Sequence, residues 1–347
     1  MAKGQTYSHE RVRLEDPETS VGGWQLTSFP SHSMHLGYLQ NSFTPDARTL
    51  LFVCQRSAAR DAPWDLFRVD TDGLNLTQLT DADDARAAVL GPGGEAAYLC
   101  RGGSLWRVTL ADAREEEVAR CDDVEEAMGL SGYLAHDGAY YFARAQLKGG
   151  APGVVRFALD GSESRIIRRG ADAGFHGVDS TGLGIAAVVV RDGREVFVRY
   201  DYDGAGERTL GRNVFAHSSW LSGTGMIQGC ALPPQRAVLL MPEGEEPKPL
   251  VEGHYFWHSG SSYDGRWIVA DTNWPNEGLW LISVEARRAA RLCRTPNTAG
   301  HPQWGHPHPT FSPDGRLVAF NSDPHGVGQV FVAEVPGALR AEMTRPV

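Results

Sequence analysis

Residues able to do chemistry are concentrated in His301-Pro302-Gln303-Trp304-Gly305-His306-Pro307-His308-Pro309, where three histidines and a glutamine fall within eight residues. His306 and His308 are two apart, so on an extended strand their side chains point the same way. Gln303 stands three residues before His306 and can fold back through the loop. Neutral imidazole suits Mn, Fe, Ni, Cu or Zn, and an amide oxygen favours the harder members of that set. For any one of these histidines, a Pro-rich turn bonded only to backbone is the simpler account. The Gln-x-x-His-x-His spacing ahead of a strand favours a metal site.

The elements that must hold this stretch are repeated. Ser312-Pro313-Asp314-Gly315 follows at once, then an apolar run over 316–320, a loop and a further strand over 329–334. The same plan starts at Thr44-Pro45-Asp46-Ala47, Gly91-Pro92-Gly93-Gly94, His136-Asp137-Gly138, Ser180-Thr181-Gly182, Ser222-Gly223-Thr224-Gly225 and Tyr263-Asp264-Gly265. Seven units of about 45 residues match four strands per propeller blade. The predicted fold is all-β: one domain over 1–347, a seven-bladed β-propeller of four-stranded antiparallel blades. The blades are expected at about 30–80, 82–118, 127–169, 175–210, 214–251, 255–295 and 305–336. Gln25-Leu26-Thr27 repeats the fourth-strand end Gln78-Leu79-Thr80 ahead of any complete blade, and the last unit lacks such a strand. The stretch 23–28 is therefore expected to complete blade 7 and pair two open edges. Residues 1–20 and 338–347 are expected as loose ends.

Composition limits the function classes. A hydrophobic content of 41% and a charged content of 22% describe an ordinary globular chain, and 40 glycines with 20 prolines imply many turns. The net charge of −10, with no basic run, argues against nucleic acid as partner, although a small anion needs only a local basic pocket. Met1 to Ser20 is polar and shows no signal peptide, and no run of about 18 apolar residues exists to span a membrane. Cys54, Cys100, Cys121, Cys230 and Cys293 are scattered and odd in number, which reads as reduced thiols in a cytoplasmic protein. Oligomeric state leaves no signature in the sequence.

In a propeller, the connections from fourth to first strand and from second to third strand open on one face around the axis. Counting seven residues back from the turn glycine reaches the mouth of the inner strand. Gly265 gives His258 and Gly315 gives His308, while His217 lies eight before Gly225 and His176 six before Gly182. His35 lies further upstream in the corresponding connection. His217, His258 and the His306/His308 pair therefore fall on three consecutive blades. His176 and His136 are read as packing or capping residues.

Phe256-Trp257-His258, Asp264-Gly265-Arg266-Trp267, Asp271-Thr272 and Gln303-x-x-His306-x-His308-Pro309-x-Phe311-Ser312-Pro313-Asp314-Gly315 resemble the oligogalacturonate lyases. Members of that family are seven-bladed, cytoplasmic, manganese-dependent enzymes of pectin degradation. The similarity is strongest over about 210–335. It implies a metal, Mn2+ or another divalent transition ion, held by His258, Gln303, His306 and His308. It also implies a catalytic histidine one blade earlier, at His217. The family motif usually carries an acidic residue after that histidine, and this chain has Ser218.

The implied reaction is a β-elimination on a short 4-linked galacturonide. It removes the C5 proton beside the carboxylate, expels the C4 oxygen and leaves an unsaturated uronate. Divalent charge beside the carboxylate eases removal of a very weakly acidic proton, and a neutral His217 suits the base. An arginine at the carboxylate would add a bidentate grip. Arg56, Arg144 and Arg191 lie on second-to-third-strand loops of the site face; Arg191, one blade before His217, is the first choice for a catalytic role, with Arg56 and Arg144 as substrate-binding candidates. Asp271 is placed to orient a metal-bound histidine. The alternatives are a non-enzymatic propeller that serves as a binding platform, a Zn or Fe hydrolase or oxygenase, and a lyase for another uronide. A serine peptidase is excluded by the lack of Gly-x-Ser-x-Gly.

Overall fold

The computed structural model describes residues 3–39, 42–57, 59, 62–81, 85–171, 173–298, 300 and 303–345. His301 and Pro302 of the histidine-rich stretch lie outside the described residues. Seven antiparallel sheets form a ring, the seven-bladed β-propeller expected. Six sheets have four strands, over 33–78, 89–120, 124–169, 177–212, 215–252 and 256–293. The seventh joins Thr310–Phe311, Leu317–Ser322 and Gln329–Glu334 to the N-terminal strand Gly22–Gln25.

The middle strands are buried on both faces, because every blade lies between two others. Trp267–Thr272 is buried throughout and Thr49–Cys54 at all but one position. Their sequences therefore read as continuous apolar runs rather than alternating ones. The outermost strands, such as Glu115–Arg120 and Arg208–Arg212, are charged and largely exposed, which discourages edge pairing with other chains.

The turns leading into the second strands repeat one hydrogen-bonding scheme. Ser312 Oγ donates to Asp314 Oδ1 (2.6 Å) and accepts from the Leu317 amide (2.9 Å). Ser262 with Asp264 and Trp267, and Thr44 with Asp46 and Thr49, do the same. These turns fix the depth of the inner strands, and with it the level of the histidines.

Blade 7 is closed by the N-terminal strand, with Gly23, Trp24 and Gln25 opposite Ala333, Val332 and Phe331. A Cβ at Gly23 would strike the Val332 carbonyl, so the approach requires glycine. The repeated Gln-Leu-Thr has a physical basis. Gln25 Nε2 donates to the Thr27 carbonyl as Gln78 Nε2 does to that of Thr80, each at 2.8 Å. Each threonine hydroxyl donates to the first side chain of the neighbouring strand, Gln329 or Asp65, and accepts the next amide, Val330 or Leu66. Thr27→Val keeps the shape but strands a buried amide and a buried amide oxygen. It should lower unfolding free energy by about 2 kcal/mol, read from chemical denaturation.

Both termini are more ordered than the sequence suggests. Val12–Glu15 adds a fifth strand outside Gly22–Gln25, and Tyr7 donates to Gln78 of blade 1. At the other end Gly337–Met343 is a short helix with Met343 buried among residues of blades 6 and 7. Apolar Leu339 and Met343, four apart, cover that seam.

Candidate functional site

Two β-bulges aim the histidines of blades 5 and 6. Pairing of Phe215–Leu221 slips by one residue between Phe215 and His217, and pairing of Phe256–Ser261 slips between Phe256 and Ser259. A bulge redirects side chains that strand alternation would send elsewhere. Here it brings the His217 and His258 rings to 4.3 Å between centroids.

His306 and His308 come from the segment between the 3-10 turn Gln303–Gly305 and the inner strand Thr310–Phe311. Their rings lie 6.0 Å apart and nearly parallel, but not by strand alternation. His308 has φ 47°, a left-handed conformation rather than an extended one. The His258 ring sits 4.1 Å from that of His308 and 5.6 Å from that of His306.

Asp271 ties the cluster together. Its carboxylate accepts the His258 amide (2.7 Å), the His258 Nδ1–H (2.8 Å) and the His308 amide (3.2 Å). The bond to the His308 amide helps hold a backbone conformation that costs a non-glycine residue about 1–3 kcal/mol. The bond to Nδ1 leaves Nε2 of His258 as the lone-pair nitrogen.

The donor set fits a divalent transition metal. His258 and His306 are almost fully buried, and Nε2 of His258 and both ring nitrogens of His306 have no hydrogen-bond partner. Buried polar atoms left unbonded are rare without a reason. The Gln303 side chain lies beside His258, which puts its amide among the imidazoles. Burial holds the pKa of His258 and His308 well below the ordinary imidazole value, so both are neutral and able to ligate. Among the described residues, no three His, Cys, Asp or Glu side chains already converge in ligating geometry. The His258 ring is tilted against those of His306 (62°) and His308 (52°).

His217 borders the cluster half-buried. Burial lowers its pKa, the neighbouring His306 and His176 add to this, and Asp271 opposes. Ser218, at the position where the family motif is acidic, bonds instead to Nε2 of His176 (3.1 Å). Burial takes His176 down to about 4, in keeping with a packing role. His35 is buried beneath the cluster against the Pro307 carbonyl.

Sequence reasoning missed Tyr38. Its ring stacks on His308 (5.8 Å, 9°) and tilts against His258 (5.3 Å), with its hydroxyl 3.5 Å from His217 Nδ1. Gly37, at φ 102°, turns the blade 1 connection over the axis to put it there. Asn273 was also missed. It lies two residues beyond Asp271, fully buried, with neither amide atom bonded.

The arginines separate clearly. Arg56 is buried, paired with Glu10 at 2.6 Å and packed over Tyr7, Phe29 and Phe67. It fastens the N-terminal segment to blade 1. Arg191, the first choice, is held by both carboxylate oxygens of Glu207 (3.1 and 2.7 Å). Arg144 is exposed, with no carboxylate within salt-bridge distance among the described residues. Its charge opposes the rise that burial gives the Tyr133 phenol.

No family model matches the chain. It is 23% identical to the oligogalacturonide lyase of Pectobacterium atrosepticum over an alignment of 399 residues, covering 98% of this chain and 100% of that protein. It is also 23% identical to the oligogalacturonate lyase of Dickeya dadantii, with the same coverage. Among solved structures, an oligogalacturonate lyase in complex with manganese superposes with a TM-score of 0.80 at 21% identity, over 98% of this chain and 100% of that one. The oligogalacturonate lyase of Vibrio parahaemolyticus gives 0.77 at 18% identity, over 97% and 100%. Similarity over the full length and a shared seven-bladed frame support kinship of this chain with the oligogalacturonate lyases.

Proposed function

We propose that the protein is a metal-dependent lyase that cleaves short 4-linked oligogalacturonides by β-elimination. The observation that carries this reading is the cluster of His258, His306 and His308, in which Nε2 of His258 and both ring nitrogens of His306 are buried and unbonded, with Asp271 behind it and His217 directly beside it. His258, Gln303, His306 and His308 would hold the ion, and manganese is the choice suggested by the solved relative. When bound, the ion supplies positive charge beside the substrate carboxylate, which favours ionisation at C5.

The chain's own residues do the rest. His217 is neutral and takes the C5 proton; with Nδ1 facing Tyr38, Nε2 is the nitrogen free to receive it. The C5–H electron pair becomes the C4–C5 double bond as the C4–O bond breaks; the leaving oxygen takes a proton from water, and His217 returns the C5 proton to solvent. Tyr38 packs against His217, His258 and His308 at once, and so sets the base relative to the ligands. We assign the carboxylate contact to Arg144, because Arg56 and Arg191 are committed to Glu10 and Glu207.

A cytoplasmic setting agrees with five free, buried cysteines. No helix among the described residues is long and apolar enough to cross a membrane.

The deciding assay is ultraviolet absorbance of the conjugated product after mixing protein, Mn2+ and di- or trigalacturonate. A rise that depends on metal supports the reading. No rise with any uronide, in protein shown to hold metal, refutes it. In the same assay Arg144→Gln should raise KM about tenfold, the worth of one charged hydrogen bond, with little change in kcat. An unchanged KM would remove Arg144 from the substrate contact.

A further inference from the structure

Blade 6 carries a second feature on the site face that the reaction above does not use. Its second-to-third-strand connection, between Trp267–Thr272 and Leu279–Ser283, presents Trp274 with 56% of its surface exposed. Trp274 stands edge-on to Trp257 (5.5 Å, 72°) and to Tyr255 (6.0 Å, 76°), and those two rings stack on each other (5.9 Å, 27°). Trp257 in turn meets the His217 ring edge-on at 4.9 Å. A continuous aromatic wall thus runs from the proposed base to an indole in solvent.

The wall is built rather than incidental. Trp274 has φ 43°, a left-handed conformation that a bulky residue rarely adopts. Such strain, of about 1–3 kcal/mol, persists only where surrounding contacts impose it, and it gathers at functional sites. The contacts are present. The Asn273 amide donates to the Tyr255 carbonyl (3.0 Å), the Glu277 amide to Thr272 Oγ1 (2.8 Å), and Thr272 Oγ1 to the Gly278 carbonyl (3.1 Å). His254 Nδ1 pairs with Glu277 Oε2 (2.5 Å), and Asn276 donates to the Thr295 carbonyl. The loop is pinned from behind on both sides of Trp274, so the indole is held out without much movement to lose on binding.

We propose that Trp274, backed by Tyr255 and Trp257, is a stacking subsite for a sugar ring of the substrate beyond the two that flank the bond being cleaved. This rests on the lyase reading above. A pyranose offers a face of C–H groups to an indole while its hydroxyls and carboxylate stay in water, and a flat rigid aromatic takes that face at little entropic cost. The occupant is a saccharide and not a protein. Three rings fall far short of the roughly 1,600 Å² that a stable protein interface buries, and the wall is continuous with the site rather than set apart from it.

The test compares kcat/KM on trigalacturonate and digalacturonate for wild type, Trp274→Ala and Trp274→Phe. The trimer-to-dimer ratio should fall about fivefold in Trp274→Ala, as expected for one lost stacking contact, and recover in part in Trp274→Phe. An unchanged ratio, whether both rates stay constant or both fall together, overturns the subsite. Calorimetric titration of both saccharides into His217→Ala, with and without Trp274→Ala, gives a readout free of turnover. If trimer binding weakens through Trp274 while the parent protein cleaves no galacturonide, the subsite stands and the lyase reading fails. If both saccharides are cleaved and the ratio does not move, the lyase reading stands and the subsite fails.

Discussion

Replacing His217 by alanine should lower turnover of di- and trigalacturonate by about 10²–10⁴-fold, the usual cost of removing a general base, while stoichiometric metal is retained. The expectation follows from placement. His217 meets His258 ring to ring at 4.3 Å, yet it comes from a different blade and Asp271 does not bond it. Its neighbours are Tyr38 at Nδ1 and Trp257 at the ring edge. Burial keeps it neutral below the ordinary imidazole pKa, so the proton-accepting form is present at neutral pH. Turnover should therefore fall on the acid side only as the pH drops below about 6.5. Metal content and single-turnover rate measured on the same preparation decide the matter. A normal rate in His217→Ala would keep the lyase and remove the base, and Tyr38 would be the next group to test. A lost metal would make His217 a ligand.

The parts of this site that were legible in the sequence are those tied to a repeat. His258 and His308 stand seven residues before a turn glycine whose geometry recurs from blade to blade, so their level along the axis could be counted. The closing strand was legible for the same reason, because Gln25-Leu26-Thr27 copies a hydrogen-bonding unit already present at Gln78-Leu79-Thr80. What escaped depends on departures from the repeat. The bulges at His217 and His258 are one-residue slips that leave no compositional mark. Tyr38 reads as an ordinary loop aromatic until Gly37 bends its connection over the axis. The arginines failed differently. The carboxylates that engage Arg56 and Arg191 lie 46 and 16 residues away in sequence and are joined to them only by folding. The terminal segments looked loose because their partners, Gly22–Gln25 and the seam of blades 6 and 7, exist only once the ring has closed.

Replacing His306 by alanine should abolish stoichiometric binding of Mn2+, and Asp271→Asn should weaken it by about 10- to 100-fold. The two variants probe different parts of one arrangement. His306 offers two buried nitrogens with no bond to protein, so in the proposed centre its ring serves as a ligand and its loss breaks no hydrogen bond of the fold. Asp271 is fully buried and touches no solvent, but three donors converge on it: the His258 ring and the amides of His258 and His308. An asparagine oxygen can still accept the His258 amide. Its NH2 group cannot accept the other two, so the His258 ring loses the bond that fixes its tautomer, and the strained backbone of His308 loses a support. The metal should therefore remain detectable but bind more weakly, and the folded protein should also lose stability. Calorimetric titration of metal-stripped protein with Mn2+, paired with thermal unfolding in the presence and absence of the ion, separates these effects. Wild type should be stabilised by Mn2+ in proportion to the logarithm of its concentration above Kd. His306→Ala should fold normally and show no such stabilisation. Stoichiometric metal in His306→Ala would move the centre away from these residues and with it the chemistry assigned to them.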